Sequence, residues 1–204
     1  MTATLRTSAD DDPGSAAYGW RVLSVTTLGV MLCFINASTL NVALPALVRD
    51  LGATAVQAGW ILLSYMLLTT VLILVFGRLA DLLGRRRLYL AGLATLVLAS
   101  VGCGLAGNAE VLLMFRCLQA IGAAAVITNT TALLADAFPS HKLGLGLGIN
   151  ATISAAAQSL GPILGGVVVS TLGWRAIFLL NLPLGLIALY WAWRTLRRAP
   201  YTSD

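Results

Sequence analysis

The stretch GRLADLLGRRR at positions 77–87 separates two long apolar runs and determines how they are arranged. The run before it is predicted to cross a membrane over residues 56–76, and the run after it over residues 88–105. Gly84 permits a tight turn between antiparallel helices, and Gly77 permits close approach of a neighbouring helix. The arginines that close the stretch favour the cytoplasmic side of a membrane. The stretch therefore predicts a short basic loop between two transmembrane helices.

The rest of the chain repeats this pattern of apolar runs and short polar connections. Of its 204 residues, 58% are hydrophobic and 10% are charged, and the mean hydropathy is +0.88. Such a composition lacks the polar residues that cover a soluble domain, so it predicts an all-α integral membrane protein with six transmembrane helices. The predicted spans cover residues 22–47, 56–76, 88–105, 111–134, 145–171 and 175–193. Residues 1–19 are expected to form a disordered cytoplasmic tail, residues 20–195 the six-span domain, and residues 196–204 a second cytoplasmic tail or the start of a linker.

The basic residues predict the orientation of the chain. Ten of the thirteen Lys and Arg residues fall on one side of the predicted spans: Arg6, Arg21, Arg78, Arg85, Arg86, Arg87, Lys142, Arg194, Arg197 and Arg198. Only Arg49 and Arg175 fall on the other side, so the positive-inside rule places both termini in the cytoplasm. This topology accounts for the net charge of +5, and no nucleic-acid partner is expected. The five tryptophans lie near predicted span ends, which favours interfacial anchoring over ligand stacking.

Acidic residues give the basic loop two further roles. Asp81 can offer its carboxylate to the N-terminal end of a neighbouring helix, where free N–H groups favour an anion. Asp136, at the end of the fourth span, is the available partner for Arg85, and the pair is a candidate cytoplasmic latch. Arg78 and Arg86 complete the charged part of the loop. The plainer alternative is a loop that only obeys the positive-inside rule.

The loop resembles the signature of the major facilitator superfamily, roughly G-x-L-A-D-R-x-G-R-R/K, with Leu82 where a basic residue is common. Three further stretches resemble motifs of that superfamily, and the first of them resembles the signature of its fourteen-span drug:proton antiporters. They are NASTLNVALP at 36–45, RCLQAIGAA at 116–124 and AQSLGPILGG at 157–166. The segment from Trp174 to Gly185 is also similar to that group. The resemblance covers about residues 22–195 and implies the N-terminal six-span half of the major facilitator fold.

The resemblance implies a secondary transporter of the cell membrane (inner or plasma membrane) that exports small hydrophobic or cationic molecules and is proton-coupled in its complete form. The antiporter motif of the first span carries Asp where this chain has Asn36. An amide cannot carry a proton, so proton coupling is not assigned to this position. All eight acidic residues lie in tails, loops or span ends. A coupling carboxylate is therefore expected outside this chain.

Four polar residues within the spans are candidates for the substrate cavity: Asn36, Asn41, Arg116 and Gln119. An arginine inside a span costs about 2.5–3.5 kcal/mol on insertion scales, so Arg116 should face protein or water. Gln119 lies one helical turn away on nearly the same face. The alternative for Arg116 is snorkelling to the outer interface. The two asparagines have the alternative of hydrogen-bonding a neighbouring helix.

The fifth span contains the group Gly161, Pro162, Gly165 and Gly166. Proline removes a helix hydrogen bond and bends the helix, and the glycines let another backbone approach. The resemblance implies that this face packs against the second half and helps to seal the cavity. An ordinary contact between helices of the same half uses the same physics and is the alternative.

The superfamily has twelve or fourteen spans, so six spans predict a missing partner. That partner is expected to be a second half of six or eight spans, or a second copy of this chain in a homodimer. The competing interpretation is a truncated remnant or an accessory membrane subunit that does not transport. No catalytic residues, metal ligands or cofactor are expected, because the single histidine, His141, lies in a polar loop. An intramembrane enzyme is therefore disfavoured.

Overall fold

Six α-helices make up nearly all of residues 16–196, the part of the chain that the computed structural model describes. They are α1 (Ala16–Leu51), α2 (Ala55–Leu83), α3 (Arg85–Gly104), α4 (Ala109–Ala137), α5 (Ser140–Leu172) and α6 (Trp174–Thr195). All six are long and apolar enough to cross a membrane. The six predicted spans are thus confirmed, and most of the helices extend beyond them at both ends.

The predicted tails need one correction. α1 begins at Ala16, so the disordered tail predicted for residues 1–19 extends too far into the chain. The apolar run starts only at Val22, and residues 16–21 form helix ahead of it. The remaining tail predictions, for residues 1–15 and 197–204, fall outside the described residues.

The connections define two ends of the bundle. One end, called the basic end, carries Gly84 between α2 and α3 and residues 138–139 between α4 and α5. The opposite end, called the far end, carries residues 52–54, residues 105–108 and Gly173. Ser140 begins α5 directly after Pro139, which occupies the N-cap position of that helix. The cytoplasmic location of the basic end stays a prediction.

The connection between α2 and α3 is shorter than the sequence suggests. Gly84 is its only residue, with φ of +87°, and its N–H donates to the Ala80 carbonyl at 3.0 Å. The predicted tight turn is confirmed, because glycine adopts positive φ without steric cost. The predicted loop over residues 77–87 is wrong, since residues 77–83 belong to α2 and residues 85–87 to α3. In the sequence, charged residues at helix ends resemble a loop because they lie outside the apolar run.

The bundle consists of two three-helix units of opposite direction. The first unit, α1 to α3, enters at the basic end and finishes at the far end, whereas the second unit, α4 to α6, enters at the far end and finishes at the basic end. In both units the second and third helices are joined by a single glycine with positive φ, Gly84 in the first and Gly173 in the second. This shared connection indicates that the two three-helix units are structural repeats of one another.

α1 and α4 hold the bundle together. α1 packs against α4, α5 and α6, while α4 also packs against α2 and α3. α3 and α4 approach closely at Gly92 and Gly122, where an added Cβ on either residue would lie under 3.0 Å from backbone of the other helix. One apolar core lies toward the basic end, around Tyr89 and Leu93, and a second lies toward the far end, around Leu112 and Phe178.

Candidate functional site

A cavity of about 360 Å³ opens between α1, α4 and α5, from the middle of the bundle toward the basic end. Its lining is apolar on the α1 side and polar on the α5 side: Val30, Phe34, Ile127, Thr130, Thr131, Asn150, Ala151, Ser154, Ala155 and Gln158. No charged side chain contributes to this lining. The space, called here the α1–α4–α5 groove, combines an apolar wall with amide and hydroxyl groups, as binding sites for small amphipathic molecules commonly do.

Three residues of α5 give the groove its polar wall. Asn150, Ser154 and Gln158 are four residues apart, so they lie on one face of the helix. The Asn150 amide donates to Thr27 Oγ1 on α1 at 3.0 Å, and Ser154 donates to the Asn150 carbonyl at 2.7 Å. Gln158 is exposed. Sequence reasoning missed these residues, although a polar stripe of this spacing in an apolar span is a usable signal.

Arg116 lies inside the bundle and not on the surface of the groove. Its side chain is 1% exposed. The guanidinium donates to Gln119 Oε1 at 2.9 Å and to the Ile61 carbonyl of α2 at 3.5 Å, and it stacks on the Tyr65 ring at 4.4 Å. The snorkelling alternative is therefore wrong. The expectation that Arg116 faces protein or water is confirmed, because protein groups enclose its side chain. A direct substrate contact stays a prediction.

Gln119 connects Arg116 to α3. Its amide donates to Ser100 Oγ at 2.7 Å, and Ser100 donates to the Leu96 carbonyl at 2.7 Å. The predicted juxtaposition of Arg116 and Gln119 on one helix face is confirmed. The chain of hydrogen bonds crosses from α2 through α4 to α3, so it fixes these helices relative to one another.

The two asparagines of α1 have different surroundings. Asn36 is 1% exposed, and neither its amide nitrogen nor its amide oxygen has a hydrogen-bond partner among the described residues. Asn41 is exposed and makes only a long contact of 3.4 Å to the Ser38 carbonyl of its own helix. Neither residue lines the α1–α4–α5 groove. Their role in substrate binding stays a prediction.

At the basic end, Arg85 joins α3 to α4. Its guanidinium lies 2.5 Å from Asp136 Oδ1 and also donates to the Ala132 carbonyl at 3.5 Å. The predicted contact between Arg85 and Asp136 is thus present, and its action as a latch during transport stays a prediction. Asp81 is more loosely held, because its carboxylate lies 3.8 Å from Arg85 and is 72% exposed. Its predicted contact with the N-terminus of another helix is untested.

The other residues of the loop motif differ from expectation. Arg86 donates to the carbonyls of Leu196 and Trp193, at 2.6 and 3.1 Å, so it satisfies free carbonyls at the end of α6. Within residues 16–196 it has no acidic partner. Arg78 is exposed. A Cβ at Gly77 would meet only Thr128, at 3.9 Å, which is ordinary contact. The close helix approach predicted at Gly77 is therefore wrong for the described helices.

At the far end, Asp50 joins α1 to α6. Its carboxylate lies 2.5 Å from Arg175 and accepts a hydrogen bond from Trp174 Nε1 at 3.0 Å. Arg175 also donates to the Ala106 carbonyl after α3, at 3.2 Å. Trp174 is 4% exposed, so the interfacial anchoring predicted for all five tryptophans is wrong for this one. Its position at a span end does not reveal that an acid of another helix lies beside it.

The glycines of α5 face α1. A Cβ at Gly161 would clash with the Ser38 side chain, and one at Gly165 would lie 3.0 Å from the Thr39 carbonyl oxygen. These two glycines thus form an ordinary close contact between helices of the same bundle, which is the alternative left open for them. Gly166 is less constrained, with Val42 at 3.9 Å, and Pro162 is exposed. Only that remaining face of the motif is available to a further partner.

Comparison with known proteins places this architecture in a family. A family profile described as the Major Facilitator Superfamily matches residues 26–204. Three curated relatives are the riboflavin transporter RibZ of Clostridioides difficile, the multidrug resistance protein Stp of Mycobacterium tuberculosis and the tetracenomycin C resistance and export protein of Streptomyces glaucescens. They are 32%, 41% and 32% identical, over 84%, 82% and 91% of this chain. The chain spans only 38%, 32% and 36% of their respective lengths.

A solved structure supports the fold. The bacterial homologue of the human lysosomal transporter Spinster, in an inward-facing and unoccupied conformation, superposes with a TM-score of 0.74. The match covers 93% of this chain and 45% of that protein, at 22% sequence identity. At this identity the likeness concerns the fold alone.

Proposed function

The chain belongs to the major facilitator superfamily and is a multi-pass membrane protein, and we propose that it forms one six-helix half of a secondary transporter that exports small, largely hydrophobic molecules. The observation that carries the proposal is the α1–α4–α5 groove, which presents amide and hydroxyl groups beside an apolar wall. Secondary transporters bind substrate near the bilayer midplane, between parts that rock against each other. The groove reaches the middle of the bundle, as such a site requires.

The second half is proposed to cover α2 and α5. These helices have the smallest buried share of the six, 22% each, against 56% for α3. The chain also spans well under half of each relative compared with it, so the relatives contain an additional region of comparable or greater length. A second half of six or eight spans is the favoured occupant, and a second copy of this chain is the alternative. Asp81 and the exposed face around Pro162 are proposed to contribute to that contact.

Proton coupling is proposed for the complete transporter and is assigned to a carboxylate outside this chain. Among the described residues, the acids are Asp50, Asp81, Glu110 and Asp136. Each lies within the first or last few residues of its helix. Asp50, Asp81 and Asp136 also have arginine neighbours.

Export is the first test. The chain is expressed alone, and together with a second half taken from a full-length relative, in cells that lack their main efflux pumps, and loss of a preloaded dye is followed by fluorescence. We expect energy-dependent dye loss in the paired cells. Thr131→Val, in the groove, should slow it severalfold, whereas Thr152→Val, on α5 outside the groove, should not.

Two outcomes oppose the proposal. Dye retention in both strains, with the chain present and folded in the membrane, would favour the remnant or accessory-subunit interpretation. Equal effects of the two threonine variants would move the substrate site away from the α1–α4–α5 groove. Export by the chain expressed alone would favour the homodimer over a separate second half.

A further inference from the structure

A buried positive charge near the groove bears on the substrate, and we infer that this half selects anionic over cationic molecules of the same shape. The inference rests on the proposed transport function and specifies its substrate class. It differs from the hydrophobic or cationic substrates that the resemblance implies. Its basis is Arg116, which is 1% exposed and forms no ion pair with a carboxylate of the described residues.

The partners of Arg116 leave its charge uncompensated. The Gln119 amide oxygen, the Ile61 carbonyl and the Tyr65 ring are all neutral. They satisfy some of the guanidinium donors and stabilise the cation locally, but the net charge of the cluster remains positive. Water and salt do not screen a charge that is enclosed by protein as they screen an exposed one, so its field extends further.

The acids of the described residues do not offset this field. Asp50 pairs with Arg175 at the far end, and Asp81 and Asp136 both neighbour Arg85 at the basic end. Glu110 is exposed at the start of α4. All four therefore lie at the ends of the bundle, where solvent and nearby arginines screen them.

Tyr65 connects Arg116 to the segment of α1 that borders the groove. The Tyr65 ring stacks on the guanidinium, and its hydroxyl donates to the Cys33 carbonyl at 3.1 Å. The next residue, Phe34, lines the α1–α4–α5 groove. The groove has no charged side chain of its own, so the nearby buried cation sets the sign of its potential.

Asn36 adds no negative charge to this part of α1. It lies one helical turn beyond Cys33 on α1 and is buried with both amide atoms unpartnered. A carboxylate at this position could neutralise the guanidinium, whereas the neutral amide cannot. For charges about 10 Å apart and an effective dielectric constant of about 20, Coulomb's law gives roughly a tenfold gain in affinity for an anion and a similar loss for a cation.

Binding of two dyes with the same ring system tests the inference. The chain is reconstituted in nanodiscs of zwitterionic lipid, and binding of anionic fluorescein and cationic rhodamine 6G is measured by fluorescence anisotropy, with empty nanodiscs as the blank. We expect tighter binding of fluorescein. Arg116→Gln should lower the fluorescein-to-rhodamine affinity ratio about a hundredfold, because the tenfold gain for the anion and the tenfold loss for the cation both disappear. Arg116→Lys should preserve the ratio because the charge is kept.

Asn36→Asp provides a second variant in case Arg116→Gln does not fold. It should move the affinity ratio in the same direction as Arg116→Gln, since it adds a negative charge where Arg116→Gln removes a positive one. Elution volume and melting temperature establish folding for every variant. Three results would overturn the inference. They are an unchanged ratio in folded Arg116→Gln or folded Asn36→Asp, tighter binding of rhodamine 6G by the unaltered chain, and binding of neither dye.

The test also separates this inference from the proposed function. Preferential fluorescein binding by a chain that exports nothing, even when paired with a second half, would leave the charge preference standing and remove the transport proposal. Export of cationic dyes at a rate that Arg116→Gln does not change would support the transport proposal and contradict the charge preference.

Discussion

At the scale of single residues, the contact between α3 and α4 depends on glycine. A Cβ at Gly122 would lie 2.7 Å from the Gly92 carbonyl oxygen and 2.7 Å from the Leu96 nitrogen. Both are backbone atoms, which cannot move aside as the end of a flexible side chain can. The two helices would have to separate and lose packing along their length.

We predict that Gly122→Ala lowers the free energy of unfolding by about 1–3 kcal/mol, the usual cost of overpacking a tight core. Gly59→Ala is the control, because a Cβ there meets nothing within 4 Å. Alanine favours a helix over glycine, so this control should be neutral or slightly stabilising. Denaturation of both variants in mixed detergent micelles measures the difference. Equal stability of the two would contradict the packing shown here.

Single residues also show where sequence reasoning reaches its limit. The contact between Arg116 and Gln119 follows from helical periodicity, and the two side chains do meet. Their burial does not follow, because it depends on α2 covering them through Ile61 and Tyr65, residues more than fifty positions earlier. Likewise, the spacing of Gly161 and Gly165 predicts a close helix contact but does not say that α1 is the partner.

At the scale of helices, the basic end joins α3 to α4 through Arg85. The two carboxylates near this guanidinium differ in distance, 2.5 Å for Asp136 and 3.8 Å for Asp81. Asp136 also brings Arg85 within reach of a carbonyl near the end of α4. The pair with Asp136 therefore contributes to the fold, whereas Asp81 keeps most of its surface for other contacts.

We predict that Asp136→Asn lowers stability by up to about 1 kcal/mol, the range for a partly exposed ion pair, and that Asp81→Asn has almost no effect on stability. In a paired transporter, Asp81→Asn should still reduce export severalfold, because its proposed contact is with the second half. Melting temperature and dye export, measured on the same samples, test both statements. If Asp81→Asn lowers stability and export equally, Asp81 acts in folding and not in the contact with the second half.

Helix positions were the most predictable part of the structure. Six apolar runs gave six helices in the right places, because few alternatives can satisfy the backbone of such long apolar segments. The ends were less predictable, since hydropathy detects the apolar segment and not the hydrogen bonds that continue a helix beyond it. Residues 77–83 illustrate this, as they are helical although Arg78 and Asp81 interrupt the apolar run.

At the scale of the whole molecule, burial is distributed unevenly. α3 has the largest buried share of the six helices, 56%, whereas α2 and α5 have the smallest, 22% each. Many of the exposed groups are large and apolar, among them Met66, Leu74, Ile163 and Val167. Lipid can cover such a surface, and so can the proposed second half.

We predict that pairing with a second half slows amide hydrogen exchange in α2 and α5 and leaves α3 unchanged. Protection by lipid does not obscure this difference, because the unpaired and the paired chain are compared in the same nanodiscs. α3 serves as the internal control within each molecule. Uniform protection of all six helices would indicate general stabilisation in place of docking on this face.

The single-residue connections at Gly84 and Gly173 have a consequence for how the gene can change over time. In an α-helix each residue adds about 100° of rotation and 1.5 Å of rise, so one inserted codon at either glycine would have to be absorbed by turning a whole membrane helix. The connections at residues 52–54 and 105–108 have room to absorb such a change. Across the lineage of this protein, insertions and deletions should therefore accumulate in those two segments, while the spacing between α2 and α3, and between α5 and α6, stays constant.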